Sequence, residues 1–87
     1  MGYGVSGPTP ATMRVLQAME STAHSAEYLH VNADTSVTTF RKAAAELLRR
    51  GLVTRTLVGA RRLGMWSVTP KGVKLRERWA SGAWFGW

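Results

Sequence analysis

Between Ser36 and Gly51 the chain repeats apolar side chains at helical spacing and then stops abruptly, and this segment constrains the fold more than any other. Phe40, Ala43, Ala44 and Leu47 stand at i, i+3, i+4 and i+7, the inner stripe of a helix predicted over residues 37–50. Ser36 immediately precedes it. Arg49 and Arg50 bring positive charge to the negative pole of the helix dipole, and Gly51 can take the positive φ that ends a helix. Such a stripe must be covered by other elements of the same short chain.

The 87 residues suffice for one small domain, so those elements lie close by in sequence. Thr9-Pro10 pairs a cap residue with a proline at the first helical position and opens a helix predicted over 10–21, with Thr12 or Met13, Val15, Leu16 and Met19 inward. Ser25 caps a shorter helix over 26–33, where Ala26, Leu29 and Ala33 share a face. After Gly51, residues 52–58 and 65–69 are rich in β-branched and aromatic side chains and flank a glycine-bounded basic turn containing Arg61 and Arg62. Thr69-Pro70 repeats the capping device and opens a last helix to about residue 80, its inner side formed by Val73, Leu75 or Arg76, and Trp79. Residues 1–8 form a glycine-rich lead-in, 9–80 the domain and 81–87 an aromatic tail. The expected class is α+β: a helix-turn-helix in a three-helix core, a two-stranded hairpin wing and a short C-terminal helix.

Charge divides the chain. Net charge is +7, yet up to residue 40 Arg14 faces Glu20, Glu27 and Asp34, while eleven bases face only Glu46 and Glu77 beyond it. A basic surface on a small domain favours a polyanionic partner. Without cysteine there is no disulfide, thiol nucleophile or cysteine metal site, and His24 and His30 alone cannot build a metal centre. No nucleophile, base and orienter stand together, and no glycine-rich phosphate motif occurs, so neither an enzyme nor a cofactor is expected. No apolar run approaches a membrane span, and a cytoplasmic location is expected.

The run Leu47-Leu48-Arg49-Arg50-Gly51-Leu52-Val53-Thr54-Arg55 is similar to the recognition-helix exit into the first wing strand of MarR-type transcriptional regulators. Arg62-Leu63-Gly64-Met65-Trp66-Ser67-Val68-Thr69-Pro70-Lys71-Gly72 is similar to that family's wing arginine, second strand and "LT-x-x-G" start of the next helix. Residues 26–72 as a whole resemble the winged helix-turn-helix domain of the family. The resemblance implies a regulator of transcription that binds double-stranded DNA. Two departures accompany it: Ala60 stands where the family has an acid that positions the wing arginine, and the long terminal helices of its dimers are missing or reduced. The resemblance by itself therefore implies no dimer.

With Phe40 taken as inward and a step of about 100° per residue, Thr35, Thr38, Arg41, Lys42, Ala45 and Arg49 fall on the opposite side of the helix. That stripe suits a major groove about 12 Å wide. Thr38, Thr39 and Arg41 are the candidates for base edges, and Ser36 lies beside them at the helix start. Lys42 and Arg49 suit phosphates, and Ala45 permits close approach. Arg61 and Arg62 on the hairpin tip suit a narrow minor groove, with Arg55, Lys71 and Lys74 as further phosphate contacts. About six such contacts give a slope of log K against log salt near −5. The bland alternative is a solvated basic face. Trp66 and Trp79 fit core positions. Trp84, Phe85 and Trp87 are expected to form a homodimer or dock a partner protein, with a fold-back onto their own domain as the alternative. A homodimer would pair half-sites and lengthen a readout that one helix keeps short.

The expected function is a sequence-specific transcriptional repressor at a short operator. The alternatives are a winged-helix protein-interaction module and an architectural, replication or recombination DNA-binding protein.

Overall fold

Four hydroxyl side chains start the four helices of the computed structural model, which describes residues 7–82 and 86–87. Thr9 begins α1 (Pro10–Ala18), Ser25 begins α2 (Ala26–Asn32), Ser36 begins α3 (Val37–Arg49) and Thr69 begins α4 (Pro70–Ala80). Each accepts a hydrogen bond from the backbone N–H three residues on, at 3.1 to 3.2 Å. One otherwise orphaned donor per helix is thereby satisfied, which explains why all four starts are readable locally.

The core lies where these helices meet the sheet. Val15, Leu16 and Met19 come from α1 and its end, Ala26, Leu29 and Ala33 from α2 and its end, and Phe40, Ala43, Ala44 and Leu47 from α3. Leu52 and Val53, Trp66, Leu75 and Trp79 complete it. Phe40 is fully buried, and its ring meets Trp66 edge-on with centroids 6.1 Å apart, a favoured aromatic geometry that ties α3 to the sheet. Ala43 and Ala44 let α1 approach α3 closely, the helix pair most extensively packed.

The sheet has three antiparallel strands in the order β1 (His24–Ser25), β3 (Leu63–Val68), β2 (Val53–Val58). The hairpin runs in unbroken register from Val53 opposite Val68 to Val58 opposite Leu63. It reaches further toward its tip than the sequence suggests, because Leu63 and Gly64 pair instead of belonging to the turn, and it stops one residue short of the expected strands at its base. Gly64 succeeds in a strand because the Arg55 side chain crosses over it; an added Cβ would stand 2.9 Å from Arg55 Nε. The tip contracts to Gly59–Arg62, closed by Arg62 N–H donating to Gly59 O at 3.0 Å. The third strand, unanticipated in the sequence, pairs His24 with Trp66 and Ser25 with Met65. A strand of two residues has no periodicity to recognise.

α1 also ends sooner than its apolar spacing predicts. Met19 is extended, with φ −69° and ψ 145°. The Arg76 guanidinium of α4 donates to Met19 O at 2.7 Å and, at 3.2 Å, to Leu16 O, which also accepts from Met19 N–H, so it supplies donors where the helix has ended.

Candidate nucleic-acid interface

α3 presents the stripe expected of it. Beyond the buried Phe40, the side chains of Thr38, Thr39, Arg41, Lys42 and Arg49 are exposed, while Ala45 is half-buried. The first turn is stiffened by its own hydroxyls. Ser36 Oγ accepts from Thr39 N–H and donates to Thr39 Oγ1 at 3.0 Å, so these two residues hold the helix start as well as flank it. Thr35, just before them, is half-buried, and its carbonyl accepts from His30 Nδ1 at 2.8 Å. That bond fastens the turn between α2 and α3, in which Asp34 takes a positive φ of 57°. His30 therefore acts as a brace for the turn.

The cations differ in their surroundings. Lys42, Arg61 and Arg62 are exposed, and their side chains have no ion-pair partner among the described residues. Arg41 faces the Glu27 carboxylate of α2 at 3.5 Å, both side chains being mostly exposed. Arg49, expected at a phosphate, is bound to Glu46, which also accepts from Arg50 Nε at 2.7 Å. These hydrogen bonds, with Arg50 first, hold the Glu46 carboxyl below the usual carboxylate range. Lys71 donates through Nζ to Arg50 O at 3.1 Å, covering an open carbonyl at the end of α3. Arg55 lies on the exposed face of β2 with its guanidinium 5.7 Å from the Trp66 ring.

The wing tip is a constrained turn. Gly59 and Arg62 both have positive φ, 78° and 54°. A side-chain-bearing residue pays about 1 to 2 kcal/mol for that region, so Arg62 is held there by the hairpin's registry. Leu63 beside it is 58% exposed, which makes the tip amphipathic as well as cationic.

Trp87 does not extend from the domain. Its ring lies over the Arg50 guanidinium at 3.9 Å and meets Trp79 with centroids 6.3 Å apart, while Trp79 Nε1 donates to Gly86 O at 3.0 Å. For Trp87 the structure shows the fold-back, the alternative expected for the tail: a buried Trp79 offers an apolar partner and α3 ends in a cation suited to an aromatic face. Trp84 and Phe85 lie outside the described residues. Sequence reasoning missed two roles here, Glu27 beside Arg41 and Arg50 beneath Trp87. Neither follows from local spacing, because each joins segments that only the tertiary fold brings together.

No protein-family model matches the chain, and no curated protein does. Solved structures do. A MarR-family transcriptional regulator from Silicibacter pomeroyi superposes with a TM-score of 0.73 at 27% identity, covering 83% of this chain and 50% of its own. The fold is that of a MarR-like winged helix-turn-helix domain. The transcriptional regulator BldR from Sulfolobus solfataricus matches this MarR-like domain with a TM-score of 0.67 at 25% identity, over 78% of this chain and 50% of BldR. Wild-type ZitR of Lactococcus lactis, solved in complex with DNA, shares the fold with a TM-score of 0.68 at 18% identity, over 92% of this chain and 55% of ZitR. The MarR-like chain thus spans about half the length of these relatives. Among its described residues no helix is long and apolar enough to cross a membrane, and no three metal-ligating side chains cluster.

Proposed function

We propose that the domain binds double-stranded DNA as a cytoplasmic transcriptional repressor, with α3 in the major groove and the wing tip on the minor groove or backbone. One observation carries the reading: Lys42 on α3 and Arg61 and Arg62 on the wing are exposed cations without a carboxylate partner among the described residues. They project from two elements that Phe40 and Trp66 lock together. Thr38, Thr39 and Arg41 read base edges, Arg41 by a bidentate bond to guanine, while Ser36 caps the helix start and Thr35, whose hydroxyl is buried and cannot reach the DNA as expected, holds the turn before it through its carbonyl. Lys42, Arg55, Arg61 and Arg62 meet phosphates. Arg49 and Lys71 contribute charge to the field, each already bonded within the domain. The DNA complex of ZitR supports the reading through shared fold, and the regulators to which the chain is similar support a role in transcription. Two copies on paired half-sites would extend the short readout of one helix.

Fluorescence anisotropy with a labelled random-sequence duplex at several salt concentrations tests this. Four phosphate contacts give a slope of log K against log salt of about −4, and the triple variant Lys42→Ala, Arg61→Ala, Arg62→Ala brings it to about −1. A slope near zero for the unmodified protein refutes the proposal.

A further inference from the structure

The domain's acidic side chains are few, and one of them stands beside Arg41, the side chain proposed to read a base. Glu27 is the second residue of α2 and Arg41 the fifth of α3, and their side chains meet across the helix-turn-helix at 3.5 Å from Oε2 to Nη2. Glu20 pairs with His24, and Glu46 with Arg49 and Arg50, all away from the helix start. The cations suited to phosphates, Lys42, Arg61 and Arg62, have no carboxylate partner among the described residues. The one cation suited to a guanine edge does.

We infer that Glu27 is a specificity-determining residue, which holds Arg41 away from phosphates and presents its free N–H groups to a guanine. The inference rests on the DNA reading of α3 proposed above. A guanidinium carries five N–H donors in a rigid fork, so a carboxylate at one Nη2 leaves donors for a bidentate bond elsewhere. The same carboxylate offsets the positive charge a phosphate would seek, so attraction to random sequence falls. It also restricts a long side chain that would otherwise sample many rotamers, which lowers the ordering cost of the correct contact. A carboxylate near the DNA is itself repelled by phosphates, a penalty that every complex bears and that the guanine bond offsets only at the right base. Weak nonspecific binding and strong discrimination follow from one ion pair.

Glu27→Gln keeps the shape of the side chain and removes its charge. Its affinity for a random-sequence duplex should rise about three- to tenfold, with a salt slope steeper by about one. In duplexes enriched from a random pool, the variant should lose the preference for guanine at one base pair that the unmodified protein shows. In an Arg41→Ala background the same change should raise random-duplex affinity by a clearly smaller factor, because only the direct repulsion between Glu27 and the phosphates is then relieved. An equal gain in both backgrounds overturns the inference, since Glu27 then acts only through the general field. Unchanged affinity and base preference in Glu27→Gln overturn it too, leaving an inconsequential surface pair. Should Arg41→Ala itself leave DNA affinity and base preference intact, the reading of α3 fails together with the inference. A loss on Arg41→Ala with no response to Glu27→Gln sinks the inference alone.

Discussion

Replacing Gly72 with alanine sets two rules against each other, and the structure decides between them. Within a helix the change gains about 1 kcal/mol of propensity. Gly72, however, lies buried in the first turn of α4, where an added Cβ would overlap the carbonyl oxygen of Leu52 and stand 2.8 Å from Val68 Cγ2. The Leu52 carbonyl cannot easily withdraw. It accepts from Thr69 N–H at 3.1 Å, while Thr69 Oγ1 donates to Gly51 O at 2.9 Å. Overpacking of this kind costs about 1 to 3 kcal/mol, and losing the Thr69 bond as the strands part adds about 1 kcal/mol. Set against the propensity gain, the net destabilisation is about 2 kcal/mol. For a domain of this size that lowers Tm by roughly 10 °C. Thermal melts followed by circular dichroism, with urea titrations monitored by tryptophan fluorescence, measure it directly. A Gly72→Ala protein as stable as the parent, or more so, refutes the argument that close backbone approach requires glycine there.

Arg76→Met keeps the aliphatic stem but takes the guanidinium from the Met19 carbonyl and leaves the Leu16 carbonyl with only the Met19 N–H, so urea denaturation should show a loss of about 2 kcal/mol. Trp87→Ala removes the stacking on Arg50 and Trp79; the expected cost is about 1 to 2 kcal/mol in the same assay, with the mass from light scattering unchanged. Glu46 has its pKa lowered in the folded state, so its contribution is present above the ordinary carboxylate range and disappears as pH falls through the lowered value. Glu46→Gln should therefore be less stable than the parent near pH 7 and indistinguishable from it at pH 2, as read from urea midpoints across pH.

Much of this fold is written in short stretches. Thr9-Pro10, Ser25, Ser36 and Thr69-Pro70 open helices through contacts within one turn, and Gly51, with φ of 75°, closes α3 in the same local fashion. The stripe through Phe40 and Leu47 likewise identifies the buried face, and with it the exposed one. Most of what escaped the sequence depends on distant partners. The early end of α1 is set by Arg76, 57 residues beyond Met19. β1 exists because β3 offers it an edge. Arg49 fell on the correct face, but only the rotamer of Glu46 shows that its guanidinium is already bound. Residue type and spacing choose the face of a helix and already bring Glu46 within reach of Arg49 and Arg50, whereas the pairing of Arg41 with Glu27 arises from packing.

The junction after α3 has a mechanical consequence. The chain leaves α3 through Gly51, is clasped by Thr69 and Lys71 of the following helix, and enters β2 within a few residues. α3 and the wing are thus the two jaws of a calliper whose screw is tightened. In the proposed complex, a signal that weakens the grip on a duplex is expected to tilt or displace the whole instrument, because the gap between the jaws is set when the chain folds.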